Sequence, residues 1–257
     1  MTKDELIRNL KAGEYHLSPS SIKQFASSPR DFVKYKLKKD EDKDVSDDMK
    51  MGTLFEAFLL DQPHDLKIFS RELLPHPDKD LRNGANKSYM EELKAEFGDK
   101  KLVDQTIANI AKSMADRTRR HPIVSQLLAR TSEYQKELRW VVNGVNLLGY
   151  EDASGDDIII DFKKCRDARF HKFQYDIIDW DYRRQVAMYW DAEGRTKQVY
   201  LVGCDPSGQV CPVEIIPDTL NAYVKEYHEL IDSFIQCIEL DAFDAGYEWF
   251  YEGTYEL

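Results

Sequence analysis

The chain carries little cysteine and arranges none of it for a metal. Its four cysteines are Cys165, Cys204, Cys211 and Cys237, and no two stand in a CxxC spacing, which argues against a zinc knuckle. No apolar run approaches the roughly 20 residues that span a bilayer. No secretory leader and no internal repeat is evident, so the thiols are expected to be reduced and the protein cytoplasmic, with no membrane partner. Positive charge is also scarce. Lys and Arg number 36 against 47 Asp and Glu, a formal net charge of −11. A protein that coats nucleic acid nonspecifically would be basic. A nuclease with locally placed basic residues remains compatible, and carboxylates that hold metal push the total the same way. The 257 residues, 42% of them hydrophobic, suffice for one sizeable core.

The pattern divides the chain into a mainly helical part, 1–130, and a sheet-containing part, 131–257, of a single domain. Short helices are expected at 22–26, with Ser18 or Ser20 as N-cap, and at 30–37, opened by Pro29. Residues 38–48 are nearly all charged and read as a solvated loop. In 49–60, Met51, Leu54, Phe55, Phe58 and Leu59 recur at i, i+3, i+4, i+7 and i+8, one buried helix face. Glu56 lies at its margin, and Gly52, lacking a side chain, would let another backbone come close to it. An irregular stretch, 62–84, is followed by helices at 88–97 and 102–130, the second broken at His121-Pro122. Strands are expected at 136–142, 145–152, 198–204 and 210–216, with Asn143-Gly144 a strong hairpin signal. Helices are expected at 181–192 and 218–240, and the chain ends in an aromatic tail. This order gives an α/β protein with one central mixed β-sheet flanked by helices.

The rest of the chain is organised around a hairpin at 149–163. Ile158, Ile159 and Ile160 form a buried strand, and 154–157 supply turn chemistry. Side chains alternate along a strand, so Asp161 and Lys163 point the same way. The position of Asp152 depends on the turn. With Gly155 and Asp156 as turn residues, it lies diagonal to Asp161, roughly 7–8 Å away. A turn one step later puts the two acids directly opposite, and a three-residue loop puts them on opposite faces. Two carboxylates and an ammonium are costly to bury unpaired, and a divalent cation between the acids relieves their repulsion. The plain alternative is a solvated surface ion pair between Asp161 and Lys163.

Further along, Tyr182, Gln185 and Tyr189 share one helix face. Lys164, Arg166, Arg169 and Lys172 form a basic run just beyond the acids. A second basic cluster, Lys112, Arg117, Arg119 and Arg120, reads as helix surface rather than a phosphate contact.

Four segments in order resemble the RecB-like branch of the PD-(D/E)XK nuclease superfamily, and most of all its exodeoxyribonuclease VIII (RecE-type) group of phages and prophages. They are Leu17-Ser18-Pro19-Ser20-Ser21-Ile22 with Ser28-Pro29-Arg30-Asp31-Phe32; 52–60, which resembles the Gly-Thr-x-x-His helix; Asp152 with Asp161-x-Lys163; and Gln185-x-x-x-Tyr189. The resemblance departs at Glu56, where the group usually has His, and at Glu151, where Pro precedes the acid. The Cys triplet of the iron–sulfur branches is missing.

The resemblance implies a restriction-endonuclease-like core. It implies a metal site of Glu56, Asp152, Asp161 and the Phe162 carbonyl, with Lys163, Gln185 and Tyr189 as further catalytic residues. All-oxygen ligation favours Mg²⁺, with Mn²⁺ able to substitute. Lys164, Arg166, Arg169, Lys172 and Tyr182 are expected on DNA. The implied activity is resection of double-stranded DNA ends, 5′ to 3′, by a homo-oligomer that hands a 3′ tail to a single-strand annealing recombinase in a bacterial host. The alternatives are a structure- or single-strand-specific endonuclease on the same fold and a non-catalytic nuclease-like DNA-binding module.

Overall fold

The computed structural model describes residues 2–37, 45–98 and 101–250. Most of the charged segment expected as a loop, and Tyr251 of the aromatic tail, lie outside the described residues. The N-terminal helices start where the cap chemistry puts them. A Thr2–Glu5 capping box opens α1 (Lys3–Lys11). Ser18 accepts from the Ser21 N–H to open α2 (Pro19–Ser27), and α3 is Pro29–Leu37. Ser46 caps α4 (Asp47–Leu60), so this helix begins four residues before Met51, where the apolar periodicity starts.

The next stretch holds structure that periodicity did not reveal. β1 (Lys67–Phe69) lies in the segment read as irregular, and it pairs in parallel with β2 (Leu102–Asp104). Between them runs α5 (Gly84–Phe97). The helix expected to start at 102 is therefore corrected: α6 is Gln105–Arg120. Asp104 accepts from the Thr106 N–H as its N-cap, which leaves Leu102 and Val103 extended and buried. α7 is Pro122–Leu128. Two basic residues of α6 work within the fold, while Lys112 and Arg120 are exposed. Arg119 Nη2 donates to the Phe58 carbonyl (2.8 Å) and the Leu59 carbonyl (2.5 Å), and Arg117 Nη1 donates to the Ser207 carbonyl (2.8 Å).

The main sheet has five strands in the order β3-β4-β5-β6-β7: β3 Glu133–Val142, β4 Val145–Ser154, β5 Ile158–Lys164, β6 Gln198–Cys204 and β7 Val210–Ile215. The β5–β6 pair is parallel and the other three are antiparallel. Asn143 and Gly144 both take positive φ (49° and 84°) in a two-residue turn that pairs Val142 with Val145. The parallel pair needs a crossover, supplied by α8 (Phe170–Asp179) and α9 (Tyr182–Ala192). α8 went unread because it gives little periodic signal; its buried side chains, Phe173 and Ile177, are only two, one turn apart. The long α10 (Pro217–Glu239) follows β7.

Helices cover both faces of this sheet. One core joins Leu6, Phe25 and Phe32 from α1–α3, Val186 of α9 and Phe234 of α10 to Leu147, Ile159 and Leu201. Phe25 and Phe32 meet Phe234 edge-on at 5.2 and 5.4 Å between ring centres. The other core joins Leu54 and Phe55 of α4, Met114 of α6 and Val124 of α7 to Ile158, Ile160, Phe162 and Val202. The alternation of β5 thus feeds two cores, which explains three consecutive isoleucines.

Candidate active site

The register of the β4–β5 hairpin decides where the acids stand. Ala153 pairs with Ile160 and Ser154 with Ile159, and the Gly155 N–H reaches the Ile158 carbonyl at 3.0 Å. Asp156 and Asp157 are therefore the turn residues, and the same register sets Asp152 directly opposite Asp161. The paired ladder stops at Ala153. Beyond it a side chain takes over: Asp152 Oδ2 accepts from the Phe162 N–H at 2.7 Å. The acids thus occupy a gap between two strands.

Asp161 is fully buried and Asp152 is 8% exposed. The Lys163 ammonium stands 2.6 Å from Asp161 Oδ2 and 4.9 Å above the Tyr182 ring. Glu56 reaches the same place from α4. Its charge is felt by Asp152, and that of Asp161 by Glu56. Glu56 Oε1 accepts from Gln135 Nε2. Gly52 does not act as expected: a Cβ there would meet only the Lys164 Cβ, at an ordinary 3.9 Å, so no close backbone approach depends on it.

On the other side of the gap, Gln185 Nε2 donates to Asp161 Oδ1 (3.1 Å) and to the Tyr189 hydroxyl (3.0 Å). Gln185 therefore orients an acid. Tyr189 lies flat against β4 because position 149 is glycine; a Cβ there would come within 2.5 Å of its ring. The basic run divides. Lys164 is almost buried and ion-pairs with Asp48. Arg166, Arg169 and Lys172 are exposed, with Arg169 paired to Asp167. Tyr182 is half-buried beneath the Lys163 ammonium rather than open to solvent.

Three acids face one lysine here, and their protonation reflects it. Burial, then the charges of Asp161 and Glu56, hold Asp152 well above the usual carboxylate range. Burial raises Asp161 against the pull of Lys163. Burial and Asp161 raise Glu56, with Lys163, Gln135 and Asp152 opposing. For Lys163, burial favours the neutral amine, but Asp161 and Asp152 outweigh it and keep the ammonium charged.

A divalent cation fits this donor chemistry, since hard carboxylate oxygens in excess over positive charge are what such an ion neutralises. Among the described residues, no three His, Cys, Asp or Glu side chains already stand as a coordinating set. Asp152 is engaged by Phe162 and Glu56 by Gln135. Gln135 is a contact that sequence reasoning missed; it lies just before the alternating stretch 136–142, and no spacing singles it out.

The sequence matches, over residues 18–241, the family described as "PDDEXK-like domain of unknown function (DUF3799)". The chain belongs to that family. Membership and the mixed five-stranded sheet place it in the PD-(D/E)XK nuclease superfamily. Among solved structures it is similar to one described as "Putative exonuclease" from Eubacterium rectale, with a TM-score of 0.60, 13% identity, and coverage of 93% of this chain and 87% of that one. At that identity the likeness concerns the fold. A structure named SSO0001 matches with a TM-score of 0.30 and 15% identity, covering 69% of this chain and 84% of that one, too distant to carry an argument. No curated protein matches the sequence significantly. Among the described residues, no helix of this PDDEXK-like chain is long and apolar enough to cross a membrane.

Proposed function

We propose that this PDDEXK-like chain is a metal-dependent exodeoxyribonuclease of the RecE type. In this reading it hydrolyses phosphodiester bonds at double-stranded DNA ends, 5′ to 3′, with Mg²⁺ as cofactor and Mn²⁺ as substitute. The observation that carries the proposal is the meeting of Glu56, Asp152 and Asp161 beside a charged Lys163. When bound, a divalent ion supplies hydroxide from water and neutralises charge on the phosphate. Glu56, Asp152, Asp161 and the Phe162 carbonyl would hold it. Lys163, kept protonated by its neighbours, offers a fixed positive charge to the phosphate in the transition state. Gln185 and Tyr189 hold Asp161 in place. Arg166, Arg169 and Lys172 lie exposed beyond the strand that carries Asp161 and Lys163, and would follow the DNA backbone. The same reading gives a homo-oligomer in the bacterial cytoplasm, phage- or prophage-encoded, that leaves 3′ tails for an annealing recombinase.

The test is digestion of end-labelled linear duplex in Mg²⁺, beside a closed circle and an EDTA control. The expected result is shortening of the linear DNA from its ends, an intact circle and no reaction in EDTA. Asp161→Ala should abolish digestion while the fold persists; an Asp161→Ala protein that still degrades DNA refutes the site. Cleavage of the circle would instead mark an endonuclease on this fold, and DNA binding without cleavage a non-catalytic module.

A further inference from the structure

We infer that Gln135 is a positioning residue for the metal-side carboxylate of Glu56, an inference that rests on the metal-dependent reading above. Three independent features of the fold meet at this glutamine. Its Nε2 donates to Glu56 Oε1, tying β3 to α4 across the mouth of the site. Its φ is +52°, in the left-handed region that residues other than Gly, Asn and Asp seldom enter, and least of all inside a strand. The β3–β4 ladder also skips it: Tyr134 pairs with Ala153 and Lys136 with Glu151, while Gln135, facing Asp152, is unpaired between them.

The interruption coincides with a change of face in β4. Leu147 packs in the core under α9 and α10, whereas Ala153 packs in the core under α4 and α6. They are six residues apart, and a regular strand would put them on the same side. The switch occurs beside Asp152 and frees it to enter the gap next to Asp161. Glycine would satisfy the left-handed backbone at 135 with less strain. What glutamine adds is the amide.

That amide acts on the carboxylate nearest the open side. Gln135 and Glu56 line one cavity of about 300 Å³ together with Thr53, Gln62 and His64. A side chain facing such a space has rotamers to choose from, and a donor on Oε1 restricts them. Partners one step behind the ligands hold them in the geometry the ion requires, and losing one costs about 10–100-fold in metal affinity.

The experiment is calorimetric titration of the full chain with Mn²⁺, without DNA, together with thermal unfolding in EDTA. Gln135→Gly removes the amide and suits the backbone. Its Mn²⁺ affinity should fall about 10–100-fold while its Tm in EDTA stays within a few degrees of the wild type. Gln135→Asn, which tolerates the left-handed region but reaches less far, should fall in between. On a Glu56→Ala background, Gln135→Gly should cause no further loss, because the two act through one carboxylate. Gln135→Gly binding Mn²⁺ within twofold of the wild type, or its full loss adding on top of Glu56→Ala, overturns the inference and leaves the metal site standing. A wild-type chain that binds no Mn²⁺ overturns both.

Discussion

Replacing Lys163 with methionine removes the ammonium 2.6 Å from Asp161 while keeping most of the stem. Asp161 is fully buried, and only 16% of the Lys163 side chain is exposed. Breaking a buried pair by deleting one partner costs about 3–5 kcal/mol, because a buried charge is left uncompensated. The acids here can take up a proton instead, which places Lys163→Met at the lower end, about 3 kcal/mol. In a chain of this size each kcal/mol shifts Tm by roughly 2–4 °C, so the fall is about 6–12 °C at pH 8 in EDTA.

The pH dependence has a definite sign. Asp152, Asp161 and Glu56 already have raised pKa values, and losing the lysine raises them further. Between the ordinary carboxylate pKa and the raised one, the folded state binds more protons than the unfolded state. Stability therefore falls as pH rises through that window. The deficit should be small near pH 5 and fully developed at pH 8. Thermal unfolding followed by circular dichroism at both values measures it. A Tm within 2 °C of the wild type at both, or an equal deficit at both, would refute the view that Lys163 neutralises a buried acid cluster.

Asp152→Asn keeps an acceptor for the Phe162 N–H and removes a charge that the folded state disfavours. It should raise stability in EDTA at pH 8 by on the order of 1 kcal/mol, seen as a higher Tm, and abolish digestion. The wild type should gain about 2.7 kcal/mol at 100 times the dissociation constant of Mg²⁺, and Asp152→Asn should lose most of that gain; if Mg²⁺ stabilises the Asp152→Asn protein as much as the wild type, Asp152 is not a ligand. Gly149→Ala forces a Cβ to within 2.5 Å of the Tyr189 ring, an overpacking cost of about 1–3 kcal/mol in urea unfolding. The displaced tyrosine should also release Gln185 from Asp161 and lower cleavage; an alanine variant as stable and active as the parent would mean that the Tyr189 contact does not matter.

Much of the fold could be read from local chemistry. Asn143-Gly144, the proline-led helices and the alternation of β3 are signals carried by neighbouring residues. The Asp161-x-Lys163 pair shares a direction because strand periodicity is two, whatever lies around it. α8 and the β1–β2 pair escaped because each is short and stabilised by what it packs against. α8 shows only two buried side chains, and Phe173 is seated against Gly203, whose Cβ would clash with the ring at 2.8 Å. β2 is extended because Asp104 is used as the next helix's cap.

The site divides the same way. The candidate residues were legible in the sequence where their spacing is local: Asp161-x-Lys163 lies within one strand and Gln185-x-x-x-Tyr189 within one helix. The sequence left the β4–β5 register open between turns that the same residues permit. Tertiary packing chose among them: Gly155 sits so tightly against the Arg130 carbonyl that a Cβ would come within 2.0 Å of it, and its N–H closes on Ile158. Only the assembled fold brings Glu56 from α4 to the strand gap, and only there does Gln135 meet it, 79 residues away in sequence. Contacts at that separation leave no periodic trace in the chain, because they depend on how two layers stack rather than on how either element winds.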